Sequence, residues 1–398
     1  MQSCKLKTSD TVVELTSGKY RVKSLDEQKQ RLDASKSKLD ADFTKDLFGK
    51  YWSECDPFKK EKDIVAKLAN SCNVSNAWLK CYEIISYYDL LPVEHKGEFV
   101  HFDNAAFPGS FILATHHYAS TLRDYPYMWY GSSLITVNES DAAPLDDEYL
   151  LYKQYPNHWM MSVDNNGDLL IGKNQLDFYN KLKNSVDLYT SDLGFDVSTN
   201  YNNQELLQCP ANIGQILTGL LVLKTGGCLV TKQYTIFESI TLSTMYIVGS
   251  FFDEFYICKP ATSREANSET FLVGKGFRGA SIDHVYIKAL FDKIVTFKPV
   301  PFIDAKLYLP FIKQCIAFSK LIVDKQINKI DSDVERVYAC MASGYTGRDI
   351  RENILIKAFN ESVEDMVINW YKLCKILPID KDKRLTTIDK FRQLQLRA

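Results

Sequence analysis

Between about residues 97 and 277, short apolar runs alternate with longer stretches whose apolar positions recur every three to four residues. EFVHFDNAA, YMWYGSSLI, LLIG after Asp168, VDLYTS at 186–191, LVTK within 228–233 and DEFYICK predict strands. FILATHHYASTL, NQLDFYNKLKN, the stretch from about Gln204 to Lys224, and 237–250 predict helices, with a turn at Thr225–Gly227. The last run, ETFLVGKG, follows its neighbour so closely that it must return antiparallel. Strands alternating with helices predict an α/β fold whose sheet is mostly parallel, with helices on both faces and an antiparallel last strand.

The pattern differs on either side. Residues 1–20 read as an extended polar lead, 24–50 as one solvent-rich helix and about 61–88 as a second. Beyond Ser281 the periodicity is helical only, over 283–295, 304–327, 331–341 and 347–375, before the basic tail KDKRLTTIDKFRQLQLRA. Pro299, Pro301 and Pro310 punctuate that join. The implied organisation is an N-terminal helical extension (1–65), a sheet domain (66–280) and a C-terminal helical region (281–398) that packs on the sheet or docks a partner.

Such sheets bind ligands beyond the carboxyl ends of their strands. The turns Pro108–Phe111, Gly131–Ser133 and Asp192–Gly194 all fall at that edge. A strand, a small-residue turn and a helix bring backbone N–H groups close to a ligand, although a plain turn explains Pro-Gly-Ser equally well. Asp192, Lys232 and Glu269 each end or begin an apolar run, where a buried strand has no need of charge. Lys80, in SNAWLKCYEIISYY, reads on spacing alone as a solvated helix lysine. Were it to join the other three, two ammonium and two carboxylate groups would share one crevice. Positive neighbours and desolvation would lower a lysine pKa and carboxylates would oppose them, a balance that can leave one lysine able to steer or accept a proton from an alcohol.

Composition narrows the classes. Forty-eight basic and 50 acidic residues give a net charge of −2, so any nucleic-acid contact must be local. Apolar residues make up 45% of the chain, which suits a packed core. Ten cysteines without a CxxC pair suggest neither zinc nor a disulfide framework, and adjacent His116 and His117 diverge on a helix, so no metal is expected. GxxxxGK[ST] is absent, and the first strand is followed by FPGSF where a hydride-transfer enzyme would carry GxGxxG, against phosphoryl and hydride transfer. With no signal core or long apolar span, the chain reads as intracellular, soluble and reduced, with no membrane partner.

At these residues the chain resembles the FtsJ-type RNA ribose 2′-O-methyltransferases, above all the cap-specific enzymes of eukaryotes and of large cytoplasmic DNA viruses of the African swine fever virus type. The similarity runs from about Ser75 to Gly276, and KPATSREANSETF, against the family's KPxxSRxxxSExY, is its most specific part. The resemblance implies a Rossmann-like fold using S-adenosylmethionine, with Lys80, Asp192, Lys232 and Glu269 as the catalytic tetrad. It implies cofactor contacts at Asn104, Ala105, Pro108, Gly109, Ser110, Phe111, Gly131, Ser132, Asp168 and Asp192. Here the cofactor turn reads AFPGSF; Ala106 and Ser110 depart from the family's E/G-x-P-G-G-F, and Ser110 adds a side chain where backbone should approach the methionine.

The activity implied is methylation of the first transcribed nucleotides of capped mRNA, cap 0 to cap 1. The alternatives are 2′-O-methylation of another RNA, or a non-catalytic subunit that binds RNA or a partner. Capped mRNA or other RNA is the implied substrate, and other capping or transcription proteins are candidate partners. The implied location is a host-cytoplasm factory or virion for a viral protein and the nucleus for a cellular one.

Overall fold

The sheet is built around VDLYTS, whose six residues are all buried, as an inner strand covered on both faces requires. The computed structural model describes residues 1–8, 15–16, 21–39, 42–43, 47–123, 125–134, 147–161, 166–194, 203–281, 284, 286–288, 304–305, 308–343 and 353–387. The chain opens with β1 (Gln2–Lys5), β2 (Leu15–Thr16), α1 (Lys23–Ser37), α2 (Phe48–Glu54), α3 (Glu61–Leu68) and α4 (Asn76–Tyr88). Next come β3 (Phe99–Asn104), α5 (Ser110–Leu122), β4 (Tyr127–Ser132), α6 (Leu151–Gln154), α7 (Gly172–Leu182), β5 (Val186–Ser191), α8 (Gln204–Val222) and β6 (Leu223–Gln233). It closes with α9 (Ser239–Gly249), β7 (Phe252–Lys259), β8 (Thr270–Phe277), β9 (Asp304–Ala305), α10 (Leu309–Ala342), α11 (Ile354–Ser362) and α12 (Glu364–Cys374).

Seven strands form one sheet in the order β1-β7-β8-β6-β5-β3-β4, and β2 pairs with β9 separately. The pairs β3–β4, β3–β5 and β5–β6 are parallel, whereas β8 runs against both β6 and β7. The mostly parallel α/β sheet with an antiparallel last strand is therefore observed. Successive strand residues feed opposite cores, as the two-residue period of a strand demands. Leu229 and Leu272 enter one core with α1, α7, α8, α9 and α10, and Val230 and Val273 enter the other with α3, α4, α5 and α12.

Several elements differ from the sequence reading. The supposed lead contains β1, which pairs antiparallel with β7 and extends the sheet by one strand. The single helix over 24–50 is two helices serving two cores: Leu25 and Leu32 of α1 join the sheet core, whereas Phe48 and Tyr51 of α2 pack with Val337 and Ile356. The helix over 61–88 is broken; Asn70 adopts φ 52°, and Ser75 starts α4 by accepting a hydrogen bond from Trp78 N. No strand follows Asp168. Its Oδ1 accepts from Leu170 N and Gln175 Nε2 donates to Leu169 O, so side chains rather than a ladder satisfy that backbone.

The turn expected at Thr225–Gly227 lies inside β6, where the register shifts between Val186 and Leu188 of β5. The two helices over 304–327 and 331–341 are one helix of 34 residues, and the 347–375 helix is α11 and α12 within the described residues. Of 283–295 only residues 284 and 286–288 are described, and the basic tail beyond 387 lies outside the described residues. All ten cysteines are free. Among the described residues no helix is long and apolar enough to cross a membrane.

Candidate active site

The direction of β8 creates the site. Because β8 opposes β6, Thr270 pairs with Gln233 and Phe271 with Lys232. Glu269, one residue before the strand, therefore lands at the carboxyl rim beside Lys232, not at the far end of the sheet. Asp192 follows the last residue of parallel β5 and reaches the same rim. Lys80 arrives from α4, which is fixed by the full burial of Trp78, Leu79 and Tyr82, each worth about 1.5–3 kcal/mol.

The four groups meet. Lys80 Nζ lies 2.9 Å from Glu269 Oε2 and 3.6 Å from Asp192 Oδ2. Lys232 Nζ lies 2.9 Å from Asp192 Oδ1 and 3.9 Å from Glu269 Oε2, and it donates to Asp192 O at 2.9 Å. The other Glu269 oxygen, Oε1, accepts from Ser263 Oγ at 2.7 Å. Phe271 lies under Lys80, with Nζ 5.8 Å from the ring centroid. Lys80, Lys232 and Glu269 are 9%, 9% and 8% exposed, so their interactions act in a partly desolvated setting.

That arrangement corrects one expectation of charge. Burial lowers both lysine pKa values, but Asp192 and Glu269 outweigh it and raise them above the ordinary 10.5. Both lysines are ammonium groups in the free protein, and Lys232 donates to Asp192 O. Burial pushes Glu269 up, yet Lys80, Lys232 and the Ser263 hydroxyl hold it down at about 2. Its folded value lies below the ordinary 4.5, so its contribution to stability is complete above 4.5 and is lost as pH falls toward about 2. The gap in melting temperature between wild type and Glu269→Gln is expected to narrow over that interval; a constant gap contradicts the pairing.

Beside the tetrad, the ends of β3, β4 and β5 carry three buried polar atoms with no hydrogen-bond partner: Asn104 Nδ2, Ser132 Oγ and Ser191 Oγ. Leaving such an atom dry costs about 1–3 kcal/mol, which a polar ligand would recover. Ala105 (φ 58°) and Gly109 (φ 112°) bend the chain into α5, whose N-terminus has no side-chain cap. These features fit a ligand with hydroxyl and carboxylate groups, as S-adenosylmethionine has. Pro108 lies in this turn between Phe107 and Gly109. The Ser110 hydroxyl is engaged within the protein: its Oγ accepts from Ser75 Oγ at 2.8 Å and lies 3.3 Å from Tyr149 OH.

Other expected contacts sit less openly. Phe111 is buried with its ring 6.4 Å from Phe271, so the backbone is what it can present. Gly131 accepts from Met160 N, and Trp159 covers it at 3.0 Å from where a Cβ would sit. Asp168 uses Oδ1 to form its own turn. His116 and His117 diverge, His116 toward Ser120 and His117 toward Leu377 O. Burial lowers both to about 4, so both are neutral.

Two supporting residues escaped the sequence reading. Glu83, one helical turn beyond Lys80, accepts from Ala261 N (2.8 Å), Thr262 N (3.0 Å) and Thr262 Oγ1 (2.8 Å). Lys259, buried at the end of β7, donates to Asn267 O and Glu269 O, both at 2.9 Å. The signals were an acid three residues after Lys80 and the lysine that opens KPATSR.

Residues 73–277 match the family model for FtsJ-like methyltransferase. The chain is 37% identical over 265 residues to a protein of African swine fever virus (isolate Pig/Kenya/KEN-50/1950) named probable methyltransferase EP424R, covering 64% of this chain and 61% of that protein. It is 27% identical over 357 residues to the cap-specific mRNA (nucleoside-2′-O-)-methyltransferase 2 of Danio rerio, covering 81% of this chain and 46% of that protein. The chain thus spans less than two thirds of either relative's length. A solved ribosomal RNA methyltransferase from Plasmodium falciparum matches with a TM-score of 0.36 and 19% identity, covering 52% of this chain and 99% of that one.

Proposed function

The chain belongs to the FtsJ-like methyltransferase family, and on that premise we propose that it is an S-adenosylmethionine-dependent RNA 2′-O-methyltransferase acting on the first transcribed nucleotides of capped mRNA, cap 0 to cap 1. The observation that carries the reading is the meeting of Lys80, Asp192, Lys232 and Glu269 with Nζ–O separations of 2.9–3.9 Å. The preference for a capped substrate draws on the name of the Danio rerio relative. Asn104, Ala105, Pro108, Gly109, Ser110, Phe111, Gly131, Ser132, Asp168 and Asp192 are the proposed cofactor contacts, Phe111 through its backbone. When bound, the cofactor supplies an electrophilic methyl group.

The protein's own residues handle the hydroxyl. An ammonium has three donors. One on Lys232 goes to Asp192 O, and the ammonium is ion-paired with Asp192 Oδ1 at 2.9 Å. A remaining donor can hold the ribose 2′-oxygen and stabilise negative charge as it develops there. As the oxygen–methyl bond forms, the methyl–sulfur bond would break and the hydroxyl proton would leave to water, since both lysines are already protonated. Lys80 compensates Glu269 and so keeps the rim near neutral. Holding the two reactants in line is the main demand on the protein.

The test is methyl transfer to matched capped and uncapped RNAs. Transfer at least ~10-fold faster to capped RNA is expected, about the preference that 1.4 kcal/mol of cap binding confers. Equal rates would reassign the substrate to another RNA. RNA binding without transfer would make the chain a non-catalytic subunit.

A further inference from the structure

The loop between β7 and β8, residues 260–269, makes a tight excursion around one buried side chain. Lys259 is 2% exposed, and its Nζ donates to Asn267 Oδ1 at 2.8 Å, Asn267 O at 2.9 Å, Glu269 O at 2.9 Å and, at a longer 3.5 Å, Ser263 Oγ. Every one of these acceptors is a neutral oxygen. A lysine desolvated among neutral acceptors is an expensive anchor, which pairing with a carboxylate would normally relieve. Burial pulls Lys259 down to about 7, against the attraction of Glu269 and Glu265 on the loop and with repulsion from Lys80 of α4 and Lys36 of α1.

What this anchor achieves is directional. Asn267 Oδ1 also accepts from Glu269 N at 3.1 Å, so Lys259 and Asn267 fix both the carbonyl and the amide of Glu269. Ser263, on the same loop, donates to Glu269 Oε1 at 2.7 Å and so sets the carboxylate's rotation. With Oε1 thus engaged, Oε2 faces Lys80 at 2.9 Å and Lys232 at 3.9 Å. We infer that Lys259, through Asn267 and Ser263, is a positioning residue that aims the Glu269 carboxylate at the two lysines of the active site. It touches neither substrate nor cofactor in this role. The inference rests on the proposed methyl-transfer reading.

Its test combines kinetics with amide exchange in the full chain. Lys259→Met keeps the length of the side chain and removes its donors. It is expected to lower kcat roughly 100-fold, the scale of a 1 Å misplacement at a reacting centre. Ser263→Ala is expected to lower kcat about 10-fold, in line with one lost hydrogen bond to a charged group. Affinity for S-adenosylhomocysteine should stay within about 2-fold, because the cofactor contacts are elsewhere. Lys259→Arg, which keeps a buried donor, should recover part of the loss. Amide exchange should quicken in residues 260–269 and not in α5.

A Lys259→Met protein with near wild-type kcat, or one that loses cofactor binding in step with activity, overturns the inference. If Lys259→Met does not fold, Ser263→Ala at wild-type kcat overturns it equally. If wild type itself transfers no methyl group, the proposed function fails, while unchanged exchange in 260–269 would remove the anchor independently.

Discussion

Lys232→Ala is expected to lower methyl transfer by ~10³-fold or more, the upper range for removing one preorganised donor from a reacting oxygen. The fold should survive. Lys232 is at the end of β6, its neighbours in the ladder are backbone-paired, and Lys80 remains 2.9 Å from Glu269 and 3.6 Å from Asp192 to offset their charge. Removing one ammonium leaves two carboxylates and one lysine, so the variant should melt a few degrees lower and bind cofactor normally. Single-turnover kinetics beside a thermal melt separate these outcomes. Activity within 10-fold of wild type would take Lys232 out of the role proposed for it.

Glu83→Ala should be the most destabilising single change near the site. The carboxylate is fully buried and is the acceptor for Ala261 N, Thr262 N and Thr262 Oγ1. Its loss strands these donors away from water, at about 1–3 kcal/mol for each that finds no substitute, so a total near 3 kcal/mol is expected. Activity should fall as well, because α4 grips the loop at two points one turn apart, Glu83 at its start and Lys80 at its end on Glu269. Glu83→Gln keeps an acceptor and should cost less than half as much. Urea titrations of both variants decide the matter; equal stabilities for wild type and Glu83→Ala would mean that water replaces the carboxylate.

The fold was legible where burial leaves a strong signature. VDLYTS and FLVG read as strands because each is a short, mainly apolar or β-branched run bounded by polar residues, and the antiparallel return of β8 followed from the short connection before it. The same signature misled at LLIG, where Leu169 is buried in a loop held by Asp168, Asn174 and Gln175 side chains. β1 went unseen because Gln2–Lys5 alternates half-buried and exposed positions at a sheet edge, a pattern too short to differ from a polar lead. Helix breaks at Asn70 and before Phe48 were hidden because helical spacing continued across them.

The candidate site was legible in its membership and less so in its electrostatics. Asp192, Lys232 and Glu269 betrayed themselves by interrupting apolar runs, whereas Lys80 needed the family resemblance, since helix spacing alone makes it solvated. That the carboxylates outweigh desolvation at both lysines depends on separations near 3 Å, which no sequence spacing conveys. Glu83 and Lys259 act largely on backbone atoms of the loop, a pairing that sequence spacing does not convey.

The most direct measurement is the chemical position of the transferred methyl group. Capped RNA incubated with the protein and labelled S-adenosylmethionine, then digested to nucleosides and resolved by mass spectrometry, should carry the label on the ribose 2′-oxygen of the first transcribed nucleotide, and should gain it ~10³-fold more slowly or not at all with Lys232→Ala. Label on a base, or equal ribose labelling by Lys232→Ala, would contradict a site built from these four charges.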